Sequence, residues 1–365
     1  MYDLAVREDR WAAADTLIRR KFGDQGVPYG DRVLFAFARK DTAAQRQLLA
    51  EGPRIAGEKG RRIGDKALEA GAWLSIYLED LDRAKQFASL DTVPSVAAGT
   101  RASTHRFLAN LDVAGGRWAA ARDEFRMASR LGQSDSALVG RALAAALPFL
   151  AVPKGDIANI RAEVERWKPG SDPSAPLPES IRPVTGHLRL YLLGLLSSRL
   201  GQAANALGYA RQVETMTAPT ETRGLVQALA RTIRADVAAG AGRRDDALNL
   251  LDDVRGQVPF ELVRLPYFSE EHVRYLRGRL LHLVGRDEEA LRLAEVAFVG
   301  TPNEMHYRAP IHLLRAEIEQ KLGNRAAAAE QYSQFLGLWR SCDPPLRPVV
   351  EGAKTELARL VAEPR

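Results

Sequence analysis

Apolar and polar positions along the chain alternate with a helical period, and the alternation itself repeats. Five segments align on a glycine followed five residues later by a small residue: GRWAAARDEFRMA from Gly116, GQAANALGYARQV from Gly201, GRRDDALNLLDDV from Gly242, GRDEEALRLAEVA from Gly285 and GNRAAAAEQYSQF from Gly323. The small residues are Ala121, Ala206, Ala247, Ala290 and Ala328. Four and seven residues beyond them stand Phe125 and Ala128, Ala210 and Val213, Leu251 and Val254, Ala294 and Ala297, Tyr332 and Phe335. Positions so spaced share one helix face. A second amphipathic run, such as THRFLANLDVA or VRYLRGRLLHLV, precedes each glycine. Glycine adopts the left-handed conformation at little cost, so the unit reads as helix, glycine turn, helix.

Weaker copies fill the rest. EDRWAAADTLI at the start, RKDTAAQRQLL near residue 44 and EDLDRAKQFASL around Ala84 keep a small residue and lose the glycine, and PKGDIANIRAEVERW near residue 157 is another. A spacing of about 40 residues predicts an all-α fold, a superhelical solenoid of about nine antiparallel helix pairs. Residues 1–168 form N-terminal repeats and 186–365 form C-terminal repeats ending in a capping helix. Between them 169–185, with Pro169, Pro173, Pro176, Pro178 and Pro183, reads as a loop or hinge. The Gly-rich basic stretch 51–66 reads as an exposed excursion.

Composition sharpens this picture. Apolar residues make up 46% of the chain, chiefly Ala and Leu, which are strong helix formers. The formal charge is +6 and the pI about 9.5, yet 52 basic and 46 acidic residues interleave, as in RRDDALNLLDD. Nucleic acid calls for clustered positive charge, so the pattern argues against it. No window approaches the roughly 18 unbroken apolar residues of a membrane span. The start, MYDLAVREDRW, lacks the pattern of a secretory signal, and Cys342 stands alone without a disulfide partner. A cytoplasmic location is the expectation.

The chain resembles the tetratricopeptide repeat family. Gly116, Trp118, Ala121, Phe125 and Ala128 match that family's second-helix pattern, and Gly194 and Gly278 stand at its first-helix small position. The period exceeds the family's usual length of about 34, and the terminal proline is mostly missing. The C-terminal part, from RYLRGRLLHLVGRDEEALR to the tail pattern YxxFLxLWxxxDPxLxPxVxxAxxxLxxL, is similar to the C-terminal repeats of bacterial multidomain signalling proteins. In that group the repeats follow a serine/threonine kinase domain or a winged-helix or activator-type transcriptional regulator. No such head reads from these residues, since 1–50 already read as repeat.

Catalytic constellations are missing from the pattern. The six histidines form no HExxH, no Cys-x-x-Cys exists, and GAGRR at 240–244 lacks the strand and the Lys-Ser/Thr of a phosphate loop. His306 and His312 flank Pro310 at a helix start without a third ligand. Acid pairs such as Asp245-Asp246 and Glu288-Glu289 suit the first turn of a helix, where the dipole favours them. The reading is not an enzyme, with no cofactor and no metal.

The resemblance implies a groove lined by the first helix of each hairpin. By register it carries Ser103, Arg106 and Asn110 before Gly116, and Thr232 and Asp236 before Gly242. His272, Tyr275, Arg279 and His282 precede Gly285, and Leu313, Glu317 and Gln320 precede Gly323. Tyr275 and Arg279 on adjacent turns suit a peptide carboxylate or backbone, though the same pair also suits an ordinary solvated helix face. Trp118 falls between helices and belongs to the core, whereas Trp339 is placed to close the last apolar face. The expected partner is a protein or peptide segment, in signalling or transcription control. The alternatives are a nucleic-acid-binding repeat or the repeat region of a regulator whose head lies elsewhere, and self-association stays open.

Overall fold

The structure is a computed structural model of the 365-residue chain. It describes residues 5–6, 8, 10–23, 26–56, 67–169, 182–252, 270–296 and 304–362. Of the expected exposed excursion at 51–66, residues 51–55 are instead helical with Gly52 and Ile55 buried, and 57–66 lie outside the described residues, as do most of the Pro-rich loop (170–181), Val254 and Ala297. Eighteen α-helices and no strand occur among the described residues, giving an all-helical array. Helix α1 (Trp11–Phe22) leads into eight successive helix pairs. These are α2–α3 (Tyr29–Ala38, Thr42–Ile55), α4–α5 (Ala67–Tyr77, Leu81–Ser89), α6–α7 (Ala98–Ala114, Trp118–Arg130) and α8–α9 (Ser134–Ala146, Lys154–Arg166). They continue as α10–α11 (Thr185–Arg199, Ala203–Thr215), α12–α13 (Arg223–Gly240, Arg244–Asp252), α14–α15 (Glu270–Leu283, Asp287–Glu295) and α16–α17 (Arg308–Lys321, Arg325–Leu338). Helix α18 (Arg347–Ala362) follows the last pair.

The five aligned glycines make one turn five times. Gly116, Gly201, Gly242, Gly285 and Gly323 all have φ between 71° and 85°. In each, the next residue's N–H reaches back to a carbonyl five residues earlier: Arg117 to Asp112 at 2.8 Å, Gln202 to Ser197 at 2.9 Å, Arg243 to Ala238 at 2.9 Å, Arg286 to Leu281 at 2.9 Å and Asn324 to Glu319 at 2.8 Å. That bond satisfies a carbonyl which the helix end would otherwise leave unpaired. The five aligned alanines are fully buried where the paired helices cross, because a larger side chain would force the backbones apart.

Where the glycine is lost, the turn survives at a cost. Lys40 (φ 56°) and Glu79 (φ 52°) hold the left-handed position before α3 and α5. A side chain there costs roughly 1–2 kcal/mol. Each is followed by an aspartate that caps the next helix: Asp41 accepts from the N–H groups of Ala43 and Ala44, and Asp80 from that of Arg83. A turn of the same kind at Gly132 (φ 101°) joins α7 to α8, with the small residue Ala137 five positions on. Trp118 is 3% exposed, as its register implies, and its indole N–H donates to Asp156 of α9 at 2.8 Å.

One apolar cluster runs from Tyr29 to Ala353 and takes side chains from both halves of the array. It does so because the C-terminal pair returns to the hairpins near residue 116. Trp339 does not cover an outer end, as its place in the sequence suggested. It is 3% exposed, and its indole N–H donates to the carbonyl of Ala114 at 3.0 Å. Just beyond it, Asp343 uses its backbone N–H on Gly116 O at 3.0 Å. The Asp343 carboxylate accepts the N–H of Ala119 at 3.1 Å. Helix α7 has no capping side chain of its own, so Asp343 caps it from 224 residues away. Arg117 donates to Ser341 Oγ at 2.9 Å, and Arg340 pairs with Asp82 across the same seam.

Candidate functional site

The residues expected to line a groove fall into two groups. Asp236, Tyr275 and Arg279 border one cavity of ≈ 340 Å³ with Arg199, Leu280 and Leu283. Helices α12 and α14 carry most of this wall. Arg279 reaches the Tyr275 hydroxyl through Nη1 at 3.3 Å, and Leu283 leaves 45% of its surface at the edge. Arg199 fastens the far wall, donating to Leu150 O at 2.9 Å and Pro148 O at 3.4 Å. Burial lowers the Arg199 guanidinium from its ordinary range, with Asp236 opposing the shift.

His272 lies beside this cavity, 2% exposed, with Nδ1 3.2 Å from the Tyr307 hydroxyl and Nε2 3.8 Å from Asp236. Burial pushes the imidazole below its ordinary value, Asp236 works against that, and Arg199 adds to it. Tyr275 is 4% exposed and sits in an aromatic cluster, 5.3 Å from Phe149 and 5.8 Å from Tyr307 between ring centroids. The edge-on Phe149 ring and the tilted Tyr307 ring fix the orientation of Tyr275 as well as burying area. Glu317 is exposed on α16.

Most of the remaining expected positions are engaged inside the fold. Thr232 is buried and donates to Ala228 O at 2.8 Å. His282 Nδ1 lies 2.5 Å from Asp287. Gln320 joins Glu356 of α18 at 2.7 Å and accepts from the Tyr332 hydroxyl at 2.8 Å. Arg106 is half-buried, which lowers its guanidinium, and its Nε has no partner. Asn110 accepts from His306 Nε2 at 3.1 Å. Ser103 accepts from Gln133 Nε2 at 3.0 Å, and Leu313 is half-buried.

Several residues that shape this region carried no signal in the repeat. Phe149, Arg199 and Tyr307 lie at loop or helix-end positions, outside the aligned register. Glu79 did leave a trace, since it occupies the position where other repeats have glycine. Its carboxylate receives Arg308 and, at 3.0 Å, His312 Nε2, so it ties the second hairpin to the start of α16. The other ring nitrogen, Nδ1, meets Gln331 at 2.8 Å. Both histidines at the start of α16 are thus held by side chains, and the described residues contain no cluster of three or more metal-ligating side chains. A polar cleft of ≈ 950 Å³ opens beside this junction, between the α4–α5 turn and the end of α17.

Burial alone would raise the Glu79 carboxyl. The hydrogen bond and charge of His312, with Arg308 beside them, override it and hold the group at about 2 against an ordinary 4.5. A carboxyl depressed in the folded state stabilises the fold fully above its unfolded value and loses that contribution as pH falls toward its folded value. Glu79→Gln should therefore melt below wild type at neutral pH, and the gap should close between about pH 4.5 and 2. Melting temperature measured across that range checks it, and a gap that persists undiminished at the acid end contradicts it.

A crystal structure of a tetratricopeptide repeat protein from Parabacteroides merdae ATCC 43184 aligns with 81% of this chain and 97% of that one, at 14% identity and a TM-score of 0.38. No protein-family model matches the chain, and no curated protein matches it. The helical-repeat architecture rests on the turns and pairings described above. No described helix is long and apolar enough to cross a membrane.

Proposed function

We propose that the chain is a non-catalytic interaction module that receives a protein or peptide segment on the inner side of the array, at the cavity between α12 and α14. The observation that carries this reading is the pairing of Arg279 with an apolar edge. The guanidinium is set by the Tyr275 hydroxyl, and Leu276, Leu280 and Leu283 lie along the same wall. A fixed guanidinium above an apolar surface suits an acidic side chain or chain terminus next to an aliphatic residue. By resemblance of its C-terminal motif, the module serves bacterial signalling or transcription control.

Peptides selected from a displayed random library on the wild-type protein test the reading. Arg279→Glu, in protein of unchanged helicity and melting temperature, should weaken the selected peptides by about thirtyfold or more, the scale of breaking a desolvated charge contact. Peptides that bind both proteins equally would remove this cavity from consideration.

A further inference from the structure

The turn Glu304–Tyr307 and the first residue of α16 make the contacts of a bound peptide. Met305, His306 and Tyr307 are 2%, 3% and 4% exposed. His306 donates through Nε2 to Asn110 on α6 at 3.1 Å. The Tyr307 ring stands edge-on to Phe149 with centroids 5.3 Å apart, leans on Tyr275, and brings its hydroxyl 3.2 Å from His272. Arg308 reaches the Glu79 carboxylate and, at 3.1 Å, the carbonyl of Ile76. The receiving residues belong to α4, α6 and α14, which are first helices of three hairpins, to the α4–α5 turn that carries Glu79, and to the α8–α9 connection. They lie 32 to 232 residues away from the segment.

Met305 and Tyr307 join the main apolar cluster, yet the turn adds directed polar contacts that most aligned core positions lack. Those positions are alanines, aliphatic side chains and the aromatics Phe125, Tyr332 and Phe335, which chiefly fill volume. Here a short turn offers an imidazole, a phenol and a guanidinium, and meets an amide, an imidazole and a carboxylate in directed pairs. Asn110 and Glu79 are only half-buried, so departure of the turn leaves their polar groups open to water rather than stranded.

We propose that residues 305–308 are a resident self-ligand of the inner face, and that an external protein segment with the same aromatic–arginine pair exchanges with it. The inference rests on the reading that the inner face receives a segment, and it names the chemistry of the stretch that lies beside the acidic and aliphatic contacts at Arg279. The aromatic ring enters beside Phe149 and Tyr275, and the arginine that follows it reaches Glu79. Tyr275 links this surface to the Arg279 cavity, since its ring touches Tyr307 and its hydroxyl holds Arg279. The tethered segment has an effective concentration on the order of millimolar. An external segment meets only the open fraction of molecules, and its apparent affinity for the wild-type chain falls by that fraction.

The test uses a fluorescein-labelled peptide of residues 304–311 and the full chain. The chain is taken as wild type and as the triple variant His306→Ala, Tyr307→Ala, Arg308→Ala, which disables the resident. The peptide should bind the variant about tenfold or more tighter than wild type. Replacing the peptide's own tyrosine or arginine by alanine should abolish that binding. If the triple variant lacks wild-type helicity, Arg308→Ala alone takes its place and should show a smaller gain of the same sign. A folded variant that binds no tighter than wild type, or binding indifferent to the peptide's tyrosine and arginine, overturns the proposal. Library peptides that depend on Arg279 yet fail to compete with the labelled peptide overturn it too, while leaving the interaction reading intact. Binding of the labelled peptide with no library peptide recovered does the reverse.

Discussion

Trp339→Ala lowers the stability of the folded chain by about 5 kcal/mol, the sum of a cavity and an orphaned carbonyl. The indole is 3% exposed and lies tilted against Phe335, with ring centroids 5.2 Å apart. Emptying a packed tryptophan site costs roughly 3–5 kcal/mol. Its N–H also satisfies Ala114 O, and leaving a buried acceptor unpaired adds roughly 1–3 kcal/mol. Trp339→Phe keeps most of the volume and should lose about that second amount alone. Chemical denaturation of the three proteins measures both. A tryptophan that merely covered the end of a solenoid would cost far less, and a Trp339→Ala loss below about 1 kcal/mol would show that it does not join the two halves.

Gly116→Ala and Gly201→Ala should separate what the two glycines do. Both have a left-handed φ, +71° and +75°, so both substitutions carry a backbone cost of roughly 1–2 kcal/mol. A methyl group at Gly201 meets nothing within 4 Å. At Gly116 it would stand 3.1 Å from Cys342 Cβ and from Leu346 Cδ1, and 3.4 Å from Trp339. Overpacking there should add roughly 1–3 kcal/mol, making Gly116→Ala about twice as damaging. Equal losses at the two sites would mean that the C-terminal segment does not lie against this turn.

These two glycines also show how far the sequence could be read. Both belong to the same aligned motif, and periodicity correctly placed both at left-handed turns, together with the buried alanines five positions on. That information is local: a turn and a helix face are fixed by residues within about seven positions of one another. What distinguishes Gly116 is contact with residues more than two hundred positions away, and no repeat encodes that. The same limit applies to Trp339 and Asp343. The tail pattern marked them as unusual, yet only the structure shows the indole on Ala114 and the carboxylate capping α7. Glu79 stands between the two cases. It replaces a glycine at some conformational cost, a local oddity that a sequence displays, and its return is an ion pair with Arg308 that a sequence does not.

Register selected Asp236, Tyr275 and Arg279, and the structure brings these three to one cavity. It selected Thr232 and Gln320 by the same rule, and both are spent on internal hydrogen bonds. The rule selects one face of a first helix. It does not tell an inward side chain that meets solvent from one that meets another part of the chain. Asn110 shows the difference most directly, because its partner His306 is 196 residues distant.

The most direct test of the closure is a single substitution, Gly116→Cys, in the otherwise native chain. The one native cysteine, Cys342, has its Cβ 3.1 Å from the position a Cβ at residue 116 would take. A disulfide needs a Cβ–Cβ separation of roughly 3.5–4.5 Å, within a few tenths of an ångström of what the turn offers. Mild oxidation of the folded variant, read by intact mass and by mobility on a non-reducing gel, should give an internal disulfide within the monomer. Two free thiols, or disulfides between chains only, would place the C-terminal hairpin away from Gly116 and contradict the closed array.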